Sequence, residues 1–159
     1  MWQRCIGFGL VLLLTACATP TRAPSEQPQW QGRLSVTVQS DPPSASSASF
    51  SLQGNAHQGE LDLYSPLGTT VASLHWTPKA AYLHQGARAN EFGSLDELTE
   101  KTTGAALPVQ ALFGWLHGTP TVVPGWTSDL SQLEQGKLIA KRQSPEPVVV
   151  LRIQLETTP

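Results

Sequence analysis

The sequence predicts a mainly β fold, a curved antiparallel sheet with a helical pair inserted late in the chain. Three observations carry that expectation. Apolar and polar residues alternate in short runs from Leu34 onward, which is the period of a strand with one dry face. Gly, Pro, Ser and Thr interrupt those runs with turn signals. A helical period appears only between Ser94 and Leu116.

Leu34, Val36 and Val38 alternate with Arg33, Ser35, Thr37 and Gln39, and Asp41-Pro42-Pro43 breaks this first strand. Ala48, Phe50 and Leu52 alternate with Ser47, Ser49, Ser51 and Gln53 in a second. After the Gly54-Asn55 turn, Glu60, Asp62 and Tyr64 alternate with Leu61 and Leu63. Pro66-Leu67-Gly68 forms the next turn, and Ala72, Leu74 and Trp76 then share one side. Tyr82 to Gln85 and Arg88 to Phe92 are strand candidates around Gly86. This succession predicts an antiparallel meander.

Ser94-Leu95-Asp96-Glu97 is a capping-box pattern, and the helix it opens ends near Gly104. Pro108 starts a second helix, in which Val109, Leu112, Phe113 and Leu116 fall on one stripe until Gly118 and Pro120 stop it. Strands return at Lys137 to Arg142 and Val148 to Glu156. A dry sheet face with a helical hairpin has two solutions. The helices fill the concave side, or they cover it as a lid over an apolar hollow. The pattern does not choose between them, and an ordinary core is the default.

The first residues have the form of a secretory signal, with Arg4, an apolar Ile6 to Leu14, and small Thr15-Ala16 before Cys17. The apolar run falls short of the roughly 20 residues that span a bilayer. Leu14-Thr15-Ala16-Cys17 resembles a bacterial lipobox, which implies removal of residues 1–16 and lipid attachment at Cys17. Ala18, in place of Asp, favours sorting to the outer membrane. The segment 17–29 is rich in Pro, Thr, Ser and Gln and is expected to be a lipid-anchored flexible linker. A single domain is then expected over residues 30–159, facing the periplasm. Cys5 would leave with the signal and Cys17 would carry lipid, so no cysteine remains for a disulfide or a metal.

Formal net charge is −2. There is no Lys/Arg run and no basic patch in the sequence, which disfavours nucleic-acid binding. The four histidines, His57, His75, His84 and His117, have no metal-ligand spacing. No Gly-x-Ser-x-Gly elbow and no phosphate loop is present. Glu60 and Asp62 share a strand face, but exposed neighbouring charges explain them better than paired catalysis. No enzyme and no cofactor is indicated. Leu67 stands out as a large aliphatic residue at a strand-to-strand turn. It would either fold back on the sheet edge, the plainer reading, or offer up to about 1.5–3 kcal/mol to an apolar phase.

Several segments together resemble the outer-membrane lipoprotein receptor family LolB. They are Trp30-Gln31-Gly32-Arg33-Leu34, Ser49-Phe50-Ser51-Leu52-Gln53, Leu61-Asp62-Leu63-Tyr64-Ser65-Pro66-Leu67-Gly68 and Ser94-Leu95-Asp96-Glu97-Leu98. Gly104, Leu107-Pro108-Val109 and Trp115-Leu116-His117-Gly118-Thr119-Pro120 follow. The likeness is closest from Trp30 to Trp126. It implies an unclosed antiparallel β-barrel around an apolar cavity with a helical lid. It also implies a receptor that accepts lipoproteins from the periplasmic carrier LolA and inserts them in the outer membrane without nucleotide hydrolysis.

The partners implied are LolA, lipoprotein acyl chains and outer-membrane phospholipid, with the receptor acting as a monomer. The family's apolar delivery-loop residue falls on Leu67, between Pro66 and Gly68. The acyl-chain cavity would be lined by Leu34, Val36, Phe50, Leu52 and Leu61. Leu63, Leu74 and Trp76 would continue it, with Phe113 and Leu116 closing it from the lid. Leu52 stands where the family usually carries Trp, which would only reshape the cavity; the chain after Trp126 is short, so a more open barrel or a smaller cavity is expected. The alternative is a structural or assembly lipoprotein that uses the same fold as a protein-interaction module.

Overall fold

The computed structural model describes residues 29–156. The signal segment, Cys17 and nearly all of the expected linker lie outside the described residues. In chain order the elements are β1 (Gln29–Gln39), β2 (Ser44–Gly54), β3 (Gly59–Tyr64), β4 (Thr70–Trp76), β5 (Ala81–Gln85) and β6 (Arg88–Phe92). Helices α1 (Leu95–Thr103) and α2 (Val109–Leu116) follow. The chain then forms β7 (Trp126–Asp129), a 3-10 turn at Leu133–Gln135, β8 (Lys137–Arg142) and β9 (Val148–Leu155).

All nine strands belong to one antiparallel sheet of order β6-β5-β4-β3-β2-β1-β9-β8-β7. The expected meander holds from β1 to β6. The sheet then grows on the other flank, because β9 returns to pair with β1 through Leu34–Ile153, Val36–Leu151 and Val38–Val149. β6 and β7 are the two edges and do not bond to each other, so the sheet is curved but not closed. The short β7 went unread in the sequence. Four residues reading Trp-Thr-Ser-Asp show no alternation long enough to register.

Strand pairing aligns the apolar residues into rows across the inner face. One row runs Leu52, Leu61, Leu74 and Leu83; another runs Phe50, Leu63 and Ala72. The helices lie against this face. Ser94 caps α1, its side chain accepting from the Glu97 amide at 3.1 Å, while Glu97 Oε2 accepts from the Gly93 amide at 3.0 Å. Gly104 ends the helix in the left-handed region.

Helix α2 is buried more completely than its predicted stripe. Ala111 and Trp115 are buried along with Val109, Leu112, Phe113 and Leu116. For Trp115 the cause is non-local, because the segment after α2 folds back over it. The Trp115 indole N–H donates to the Thr121 carbonyl at 2.9 Å, and Thr121 packs so close to Gly114 that a Cβ there would collide with it.

Candidate functional site

Between the inner face of β1–β5 and the two helices lies a mostly apolar hollow of about 350 Å³. This falls within the range of small-molecule pockets, about 300–1,000 Å³. Five of the ten residues expected to face a cavity line it: Leu34, Val36, Leu61, Leu63 and Leu74. Helix α2 contributes Val109 and Leu112, both on the stripe read from the sequence. Leu83 and Leu107 also line it and were missed, since β5 is too short and Leu107 lies in the link between helices.

The other five, Phe50, Leu52, Trp76, Phe113 and Leu116, are buried on the same inner side but do not line the hollow. They belong to a packed aromatic and aliphatic cluster. Phe113 sits between Trp30 and Trp76, with ring centroids 5.7 Å and 6.0 Å away. Leu52, at the family's usual Trp position, is fully buried. Large side chains in this part of the core reach one another and leave no space. Space remains where the rows are aliphatic and end in the smaller Ser46, Ala48 and Ala72.

The rim of the hollow includes Leu63 and Val71. These residues belong to β3 and β4, which the hairpin 65–69 joins. Its geometry is a tight three-residue loop. The Ser65 amide donates to the Thr69 carbonyl at 2.9 Å, and the Gly68 amide donates to the Ser65 carbonyl at 2.9 Å. Gly68 takes a φ of +79°, the left-handed position that such a loop requires. Pro66 and these hydrogen bonds fix the backbone, and the loop is too short for its tip to fold back. Leu67 is therefore 94% exposed. The plainer expectation, that it would cover the sheet edge, does not describe it.

On the outer face the base of the hairpin is polar. Asp62 accepts from the Ser73 hydroxyl and lies 3.5 Å from the Tyr64 hydroxyl. Burial, and then the Asp62 charge beside it, raise the Tyr64 phenol above its ordinary pKa. Glu60 accepts from Gln53 Nε2 at 2.7 Å and lies 3.5 Å from His75 Nε2. Both carboxylates thus serve cross-strand contacts on the side away from the hollow. Among the described residues no group of His, Cys, Asp and Glu is placed to hold a metal ion, and no helix is long and apolar enough to cross a membrane.

The family model for outer membrane lipoprotein LolB matches residues 26–156. The chain belongs to the LolB family. Relatives agree with this. The outer-membrane lipoprotein LolB of Cupriavidus necator is 31% identical over 88% of this chain and 74% of its own length. That of Cupriavidus taiwanensis is 33% identical over 86% and 71%. LolB of Bordetella petrii is more distant, 26% identical over 93% of this chain and 89% of its own. The LolB match runs on past Trp126 through β7, β8 and β9. The last strands, where the sequence resemblance had been loose, therefore belong to the family fold.

Proposed function

We propose that this chain is an outer-membrane receptor, anchored by lipid on Cys17 and facing the periplasm. It accepts lipoproteins from the carrier LolA and passes them into the outer membrane. One observation carries the reading: an apolar hollow opens beside a rigid hairpin whose tip, Leu67, is almost wholly exposed. Family membership supports it, since the relatives are themselves named outer-membrane lipoproteins.

The physics of the cargo demands such a pairing. Each acyl CH₂ exposed to water costs about 0.8 kcal/mol, so chains must move between apolar surroundings without a free aqueous step. Leu34, Val36, Leu61, Leu63 and Leu74 would shield an acyl chain in transit. Leu67 would enter the bilayer interface, placing the mouth of the hollow against phospholipid. No nucleotide is needed if the hollow binds chains better than the carrier and less well than the bilayer. The receptor works as a monomer in this scheme.

The test is a two-step transfer assay. Carrier loaded with a lipoprotein is mixed with the chain from Ala18 onward, and in parallel with the Cys17-anchored form on outer-membrane vesicles. Cargo should pass from the carrier to both forms. Leu67→Glu should still accept cargo but fail to deliver it into vesicles. If the folded protein takes no cargo in either form, the receptor reading fails and the interaction-module alternative replaces it.

A further inference from the structure

The sequence shows no run of basic residues, yet strand register assembles a basic surface on the outer face of β1, β9 and β8. Arg152 faces outward on β9, opposite Ser35 on one side and Ile139 on the other. Arg33 and Gln154 are paired, as are Lys137 and Gln154, and Lys141 pairs with Val150. Arg33, Lys137 and Lys141 therefore occupy three of the four diagonal positions around Arg152, at a spacing of about 7–8 Å. All four side chains are exposed, and none is drawn into an ion pair with a described carboxylate. Two carboxylates share this face: Asp129, which lines the groove among these cations and accepts from the Ser131 amide, and Glu156, which follows β9 beside Gln31. Four cations outnumber them.

Four cations converge in a protein whose formal charge is −2. Such a cluster repels itself and gains from an anionic partner. Two further features select the partner. A groove of about 310 Å³ runs through the cluster between Arg33, Lys137 and Arg152. Ile139, an aliphatic residue 41% exposed, stands in the row of Arg152 with cations on both sides. Cations around an exposed aliphatic chain match a bilayer interface, where phosphate oxygens lie above hydrocarbon. The same outer face leads to the hairpin, because Arg33 pairs with Ser49 and Ser49 with Tyr64, two strand spacings or about 10 Å away.

We infer that this face binds the headgroups of anionic phospholipid and orients the domain on the membrane surface. The choice of a bilayer over an acidic protein rests on the reading of a lipid anchor at Cys17. That reading is checked separately, by the intact mass of the processed protein.

The experiment is co-flotation of the chain from Ala18 onward, which contains every described element and carries no lipid. Vesicles of phosphatidylcholine alone are compared with vesicles containing phosphatidylglycerol. Binding should favour the phosphatidylglycerol vesicles and weaken at high salt. Arg33→Gln with Arg152→Gln should reduce it roughly twentyfold or more, at about fivefold for each cation. Lys79→Gln with Lys101→Gln removes the same charge elsewhere and should change it little. Equal binding to both vesicles, or equal loss in both double variants, overturns the inference. So does a charge variant that keeps vesicle binding but loses cargo uptake from the carrier, which would make this face a protein contact.

Discussion

The rings of Trp30 and Phe113 meet edge to face with centroids 5.7 Å apart, fastening the first strand to the second helix. Trp30 is the second residue of β1, the strand to which both halves of the sheet attach, so this contact ties the helices to the centre of the fold. Removing the Phe113 ring leaves a cavity among large side chains that cannot collapse around it. Phe113→Ala should therefore cost about 3–5 kcal/mol of unfolding free energy. Urea denaturation followed by tryptophan fluorescence measures it, and a loss under about 1 kcal/mol would contradict the packing described.

The mouth of the hollow offers a milder perturbation. Leu63 is only half-buried at the rim, so a larger side chain there can occlude the opening without overpacking the core. Leu63→Trp should keep the wild-type far-ultraviolet spectrum while uptake of a fluorescent fatty acid falls severalfold. Unchanged uptake would mean that chains enter elsewhere or not at all.

Helix α1 depends on its cap. Ser94 satisfies the Glu97 amide, which no residue within the helix can reach. Ser94→Ala should lower stability by about 1 kcal/mol, with the denaturant slope unchanged. A shift in that slope would instead indicate that α1 has detached from β5 and β6.

Tyr64 gives a pH signature. Its phenol is raised by burial and by the Asp62 carboxylate, so the folded state holds the proton to higher pH than the unfolded chain does. Stability from this source is complete below the ordinary phenol value of about 10 and is lost as pH rises through the folded value. The chain has two tyrosines, so absorbance titration of a Tyr82→Phe background isolates Tyr64. Asp62→Asn should bring its titration back toward the ordinary value, though not fully, because burial remains.

Local rules made much of this fold readable. Ser94, Glu97 and Gly104 carry their meaning in their own spacing, and Leu34, Val36 and Val38 announce a dry face through simple alternation. What escaped the sequence depends on distant partners. Trp115 lies off the apolar stripe and is held by residues that return over α2, its indole donating to Thr121 and its ring meeting Trp126. Phe50 and Leu63 are cross-strand partners, yet one packs into the core and the other lines the hollow, a difference that strand alternation does not contain. The exposure of Leu67 needed the family resemblance, since composition alone favoured a buried leucine. The basic surface around Arg152 joins residues 33 to 152 through register, which no linear charge count contains.

A closed barrel has its radius fixed by strand number and shear. Here β6 and β7 remain unjoined edges, so the circumference is a compliant coordinate. Opening the space under the helices separates side chains but breaks no inter-strand ladder. The resisting force is then apolar contact area, about 25 cal/mol per Å², and a hydrocarbon chain bound as proposed would restore that contact as it displaces it. Capacity in such a container follows its contents.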